Sequence, residues 1–277
     1  MFLQENRMLS KIAVPGHPNI VETMFAYIRE DGTSMGEGTQ CFNFVFPLAL
    51  GNLKQLFRGS LGMQNLHGQA EDLWGEFEGL ASAVRYLHGH CRTAHRDIKP
   101  SNILLYDDPV TSRLKAKIAD FGLAISLDGV ALHTPGTLEY RSAINYAAPE
   151  VRKALNASEV GRRTLPSPSE LTSGDIWKLG AVFVELLTFL LLGAKGVKRF
   201  RDSITVHEAN LTSDSLTRFD DGDRVKGEVL EWLISLAKSS MRAAEIESLL
   251  RNMLGDAHSR PSASQVVTEL RSVSYSP

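Results

Sequence analysis

The 277-residue sequence predicts an α+β fold, in which a short strand-bearing beginning precedes a longer, mainly helical remainder. Three observations carry that expectation. Val21 to Ile28 and Cys41 to Phe46, rich in Val, Ile, Phe and Tyr, read as strands on either side of a glycine-containing turn. Between Glu71 and His90 the apolar residues Leu73, Phe77, Leu80, Val84 and Leu87 recur at intervals of four and three, the stripe of a helix lying on a core. Ala181 to Leu192 is apolar on all sides apart from Glu185, as a central buried helix should be.

Composition narrows the class. With 43% hydrophobic residues the chain can bury a large core. A net charge of −2 supplies no field that would select nucleic acid or an anionic membrane. Two cysteines, Cys41 and Cys91, make no disulfide framework and suit a reducing interior, so the expected location is the cytoplasm, with the nucleus as the alternative. Met1 to Ser10 contains no long apolar segment and does not read as a secretory signal, which leaves the sequons at Asn156 and Asn210 without an expected use. The most apolar run, Leu179 to Ala194, carries Glu185 and is shorter than the ~20 residues of a membrane span, so an interior helix is expected.

The chemistry concentrates in His95-Arg96-Asp97-Ile98-Lys99-Pro100-Ser101-Asn102-Ile103-Leu104-Leu105. One short loop there holds a carboxylate, a cation and an amide. Taken alone it could be a polar surface turn. The stretch resembles the catalytic loop of protein kinases, H-R-D-x-x-x-x-N, and other stretches similar to that family follow in order: Asp120-Phe121-Gly122 at a strand end, Ala148-Pro149-Glu150, and Ser173-Gly174-Asp175-Ile176-Trp177 opening the apolar helix. The resemblance implies that Asp97 accepts the proton of a substrate hydroxyl, that Lys99 offsets charge on the moving phosphoryl group, and that Asn102 and Asp120 hold magnesium. It also implies that Asp175 hydrogen-bonds the catalytic loop from below and that Arg260 pairs with Glu150.

Upstream the match is partial. Glu5-Asn6-Arg7-Met8-Leu9 is similar to the family's small-lobe helix, whose glutamate, here Glu5, pairs with a lysine on a preceding strand; alone, Glu5 would be a solvated helix charge. That lysine has no counterpart, because the first lysine, Lys11, follows Glu5. The Gly-rich phosphate loop has none either: Gly36-Glu37-Gly38 reads better as a hairpin turn, with Cys41 where another glycine would be needed. Phe46-Pro47-Leu48-Ala49-Leu50-Gly51-Asn52-Leu53 resembles the hinge of kinase domains common in fungi. By that match Val45 lies near the gatekeeper, the Phe46 carbonyl and the Leu48 N–H face adenine, and Leu104 belongs to the nucleotide site.

Further along, Arg96 marks by resemblance a loop that a phosphate can order, with Thr134, Thr137, Tyr140 and Ser142 as candidate acceptors. The hydroxyl residue that usually contacts the catalytic Asp and Lys becomes Ala143, beside Ser142. Asn156 to Ser173 reads as a polar solvent loop, and Gly193 to Gly227 as charged and irregular, with Lys195, Lys198, Arg199 and Arg201 forming a small basic patch. Ile246, Leu249, Leu250, Met253 and Leu254 make one helix face, and Ser262 to Gln265 is a capping-box pattern opening the last helix.

The whole implies a protein kinase-like, two-lobed α+β fold: a truncated small lobe at residues 1–50 and a mainly helical large lobe at 51–277. The expected function is ATP-dependent transfer of phosphate to protein Ser/Thr hydroxyls, Lys99 after the base being the form of Ser/Thr-directed relatives, with ATP and Mg as cofactors. The expected partner is a protein with a Ser or Thr acceptor, not nucleic acid or a membrane, and no oligomeric state is specified. The rival expectation is a catalytically inactive kinase-like module that binds partners, because the lysine and the phosphate-covering loop have no counterpart. Preferred over it is an incomplete version of an active kinase. In either case Phe25, Tyr27 and Phe44 are expected to lie uncovered.

Overall fold

The structure is a computed structural model that describes residues 2–31, 39–61, 70–108, 111–128, 145–153, 167–206 and 216–274. The architecture is organised around one interior helix, α4 (Pro168–Ile204). Ahead of it come α1 (Phe2–Ile12), β1 (Phe25–Asp31), β2 (Thr39–Val45), β3 (Gly51–Asn52), α2 (Leu53–Phe57), α3 (Gly75–Gly89), β4 (Thr93–Ala94), β5 (Ile103–Asp107), β6 (Leu114–Ile118) and β7 (Ile125–Ser126). After it come β8 (Thr205–Val206), β9 (Leu216–Thr217), α5 (Gly227–Ser239), α6 (Met241–Met253) and α7 (Ala263–Ser274).

α4 begins earlier than the sequence suggested. Ser167 caps it, accepting from the Glu170 N–H while Glu170 reaches back to the Ser167 N–H, and Pro168 occupies the first turn. A proline there forfeits only an N–H that would be orphaned anyway, so the Pro-Ser-Pro-Ser stretch that reads as a loop is in part a helix start. Residues 174–189 are buried without interruption. Gly193, at φ 64° and ψ −170°, kinks the helix, which then continues to Ile204, so the first part of Gly193 to Gly227 is helical rather than irregular. The helix is long and apolar enough to cross a membrane, but 78% of its most apolar window lies inside the protein, as the sequence reading required.

The basic patch expected on this segment loses Arg201, while Lys195, Lys198 and Arg199 stay exposed on the helix. Arg201 turns inward to the fully buried Glu185 at 2.6 Å, and Lys198 pairs with Asp202 one turn away at 2.7 Å. α5, a helix that the sequence expectations do not include, buries Val229, Leu233 and Leu236. Against α4 pack α3, through Phe77, Leu80, Val84 and Leu87, and α6, through Ile246, Leu249, Leu250 and Met253. Ser262 and Gln265 cap α7 reciprocally. Met8, Leu9 and Ile12 of α1 join the same core.

β1 and β2 pair antiparallel from Phe25↔Val45 to Asp31↔Thr39; the turn assigned to Gly36-Glu37-Gly38 lies outside the described residues. β1 starts later than Val21, because Asn19 to Val21 instead joins the end of β6, with Val21 N–H donating to the Ile118 carbonyl at 2.9 Å. Phe25 and Tyr27 are exposed, as expected, whereas Phe44 packs against the core. The sheet that matters for the site is β3-β5-β6, with Gly51↔Leu105 on one side and Ile103↔Ile118 on the other.

Candidate active site

One end of the β5–β6 ladder, where Ile103 faces Ile118, brings together residues far apart in sequence. Pro100 to Asn102 forms a single 3-10 turn, closed by Asn102 N–H on the Lys99 carbonyl at 2.9 Å, and β5 leaves directly from it. Across the ladder the Ala119 N–H donates to the Asn102 carbonyl at 2.8 Å, so Asp120 emerges beside Asn102. Asp120 has φ 66°, a left-handed conformation that favours glycine and short polar residues, and its carboxylate is exposed, accepting from the Gly122 N–H at 3.3 Å. Phe121 points the other way, buried against the His95 ring at 4.8 Å between centroids.

Asp97 is 4% exposed. Its Oδ2 accepts from Lys99 Nζ at 2.7 Å and from Asn102 Nδ2 at 2.8 Å, while Asn102 Nδ2 also donates to the Asp97 carbonyl at 3.0 Å. Because both of those partners are acceptors, the amide orientation follows: nitrogen toward Asp97, oxygen turned away. Asp97 Oδ1 is buried and has no hydrogen-bond partner among the described residues. Such an atom is costly unless a donor reaches it.

His95 fixes the loop from inside. Its Nε2 faces the Ala119 carbonyl at 3.2 Å, which can only accept, so Nε2 carries the proton and Nδ1 accepts the Asp97 N–H at 3.2 Å. Burial pushes its pKa down against the pull of Asp175, Asp97 and Asp120, which suits this neutral tautomer.

Arg96 sits at φ 70°, a conformation costing a non-glycine residue roughly 1–2 kcal/mol. Helix α4 holds it there. Asp175 accepts the His95 and Arg96 N–H groups, each at 2.7 Å, and His88 Nε2 at 3.0 Å. Burial alone would raise the Asp175 carboxyl, but the His88 hydrogen bond and the positive charge nearby, that of Lys178 included, outweigh it and hold the group below the usual carboxylate range. Burial lowers the Arg96 guanidinium to about 10. Thr134, Thr137, Tyr140, Ser142 and Ala143 lie outside the described residues, as do Asn156 and Asn210.

On the nucleotide side, the stretch after β2 runs along β5: Leu50 N–H donates to the Leu105 carbonyl at 2.9 Å and Tyr106 Oη to the Pro47 carbonyl at 3.2 Å. Leu104 is half-buried in β5 opposite Asn52, while Phe46 and Leu48, in the stretch before β3, are 36% and 96% exposed. Glu5 lies in α1, but its side chain is outside the described residues, so its partner is not part of this geometry.

Asn102 and Asp120 offer an amide oxygen and a carboxylate, hard donors only. That set fits magnesium, which uses one or two protein carboxylates and takes most remaining ligands from water and phosphates. Two supports escaped the sequence reading: His88, and Lys178 on α4, whose Nζ donates to the Arg96 carbonyl. Lys178 had a signal, a lone lysine between Trp177 and Leu179 in an apolar run, since an unpaired lysine is almost never fully buried. At the far side, Arg260 Nη2 donates to Glu150 at 2.9 Å, with the arginine side chain 1% exposed.

The family described as protein kinase domain matches residues 1–270. The chain is 29% identical over 191 residues to extracellular signal-regulated kinase 2 of Dictyostelium discoideum, a match covering 68% of this chain and 41% of that protein. It is 36% identical over 112 residues to serine/threonine-protein kinase CHK1 of Saccharomyces cerevisiae, covering 40% and 18%. To the serine/threonine-protein kinase/endoribonuclease ireA of Aspergillus fumigatus it is 26% identical over 236 residues, covering 78% and 19%. The chain therefore spans 41% or less of the length of these relatives.

Proposed function

The chain belongs to the protein kinase domain family, and on that premise we propose that it transfers the γ-phosphoryl group of ATP to serine or threonine hydroxyls of a protein. The observation that carries this reading is the state of Asp97: one carboxylate oxygen is locked by Lys99 and Asn102, and the other is buried with no partner among the described residues. A substrate hydroxyl is the donor that suits the second oxygen. Asp97 would align that hydroxyl and take its proton as the oxygen bonds to the γ-phosphorus and the bond to the ADP oxygen breaks.

Lys99, already 2.7 Å from Asp97, is within reach of the transferring group and would offset its charge. Asn102 and Asp120 would hold the metal, and magnesium, when bound, neutralises charge developing on the phosphate oxygens. Phe46, through its carbonyl, Leu48, through its N–H, and Leu104 would receive the adenine, with Glu5 supporting the nucleotide from α1. The serine/threonine preference rests on Lys99 and on the printed names of two of the relatives, CHK1 and ireA. The same reading divides the chain at the hinge into a small lobe, residues 1–50, and a large lobe, residues 51–277.

The test is incubation with γ-labelled ATP, magnesium and a generic protein substrate, followed by phosphoamino-acid analysis. Label on serine and threonine is expected, with the Asp97→Ala rate lower by ~10²–10⁴. Nucleotide binding without transfer would overturn the enzyme reading in favour of a binding module.

A further inference from the structure

α4 carries a second charge under the catalytic loop, and nothing in the proposed chemistry uses it. Lys178 is 3% exposed, one helical turn beyond Asp175, and its Nζ donates to the Arg96 carbonyl. An ammonium is rarely buried unless its charge and its protons are met. The obvious account is a counter-ion for Asp175: burial lowers the Lys178 pKa, and charge attraction to Asp175 works against that. Yet the Asp175 oxygens are taken by the His95 and Arg96 N–H groups and by His88, and the Lys178 hydrogen bond goes to the loop backbone instead.

The consequence falls on one peptide plane. The plane joining Arg96 to Asp97 is held at its carbonyl end by Lys178 and at its N–H end by His95 Nδ1, 3.2 Å away. It follows a residue held at φ 70°, where relaxation to an ordinary backbone conformation would swing that plane and the Cα of Asp97 with it. We propose that Lys178 is a positioning residue: its ammonium pins the 96–97 peptide and so aims the Asp97 carboxylate. An apolar side chain there would leave the Arg96 carbonyl buried without that donor.

The kinetic part of this inference rests on the phosphoryl-transfer reading, and the structural part does not, so the tests are paired. Amide hydrogen exchange is compared between wild type, Lys178→Met and Lys178→Arg, with α4 amides as the internal control for overall stability. In Lys178→Met the Asp97 amide should exchange ~10-fold or more faster relative to that control, and Lys178→Arg, which keeps a charged donor, should restore much of the protection. In the phosphoryl-transfer assay Lys178→Met should lower kcat on the order of 10–100-fold while KM for ATP stays within about threefold, because misplacing Asp97 affects the chemical step and not nucleotide capture.

Unchanged relative exchange at Asp97 overturns the proposal, and so does faster exchange with unchanged kcat. If the wild type transfers no phosphate, the functional reading fails and exchange alone decides the pinning. Should Lys178→Met not fold, the wild-type protein still gives an answer. A slowly exchanging Lys178 ammonium signal in NMR, with a cross-peak to the Asp97 amide, supports the pin, and its absence overturns it.

Discussion

Replacing Asp175 by asparagine changes one oxygen to an NH2 and removes one charge, with almost no change in shape. The carboxylate serves three donors: the N–H groups of His95 and Arg96 at 2.7 Å and His88 at 3.0 Å. An amide offers a single acceptor oxygen, so at least one of those donors meets an N–H instead, and the buried Lys178 ammonium loses its closest opposite charge on α4. Hydrogen bonds to charged groups contribute about 1.5–3 kcal/mol each, and breaking one side of a buried charged set costs about 3–5 kcal/mol. A loss of ~3–5 kcal/mol is therefore expected, a large part of the ~5–15 kcal/mol that domains possess.

The assay is urea unfolding followed by circular dichroism, with the shift in midpoint converted through the slope. The pH dependence adds a sign. Since the folded-state pKa lies below the ordinary 3.8, Asp175 contributes stability that is present above that value and lost as pH falls through the folded pKa. The gap between wild type and Asp175→Asn should then narrow below about pH 4. A variant within ~1 kcal/mol of wild type at pH 7 would refute the reasoning.

Other perturbations follow from the same geometry. Arg260→Met should cost ~3–5 kcal/mol by orphaning Glu150, and adding Glu150→Gln should recover part of it in the unfolding midpoint; additive losses would deny the coupling. Gly180→Ala places a Cβ 2.9 Å from the Met253 Cβ, so the α4–α6 contact must open, at about 1–3 kcal/mol; an unchanged midpoint would show that it does so freely. His17 is held down to about 4, chiefly by burial, from 6.5. The folded state thus resists protonating it, and stability should decline as pH falls from about 6.5 toward 4. His17→Gln should flatten that decline, and an identical slope would exclude His17 as its cause. Phe25, Tyr27 and Ile28 are 55%, 46% and 51% exposed on β1, so the chain should self-associate by sedimentation, and Ile28→Lys should reduce it; a monomer at high concentration contradicts this.

The site was legible in the sequence where its chemistry is local. Asp97, Lys99 and Asn102 occupy one loop, and a single strand pairing carries Asp120 to them, so fixed spacing was enough to group them. Glu150–Arg260 and the Ser262 cap were legible by resemblance and by pattern. What was hidden depends on tertiary partners. Glu185 stands out in the sequence as a lone charge in an apolar helix, but its partners, Tyr146 at 2.8 Å and Arg201 at 2.6 Å, come from beyond the helix's apolar stretch. The start of α4 is hidden in the sequence because prolines and serines also favour loops, although Ser167 and Pro168 stand at the two positions where a helix favours them. Lys178 could not be interpreted without knowing which carbonyl lies beneath the loop.

The most direct measurement is a single turnover with Mg–ATP bound in advance, comparing wild type with Asp97→Asn. The two should bind Mg–ATP within about threefold of each other, since Asn102 and Asp120 are intact, while the transfer step of the variant slows by ~10²–10⁴. Equal transfer rates in the two proteins would contradict the assignment of Asp97 as the group that accepts the hydroxyl proton.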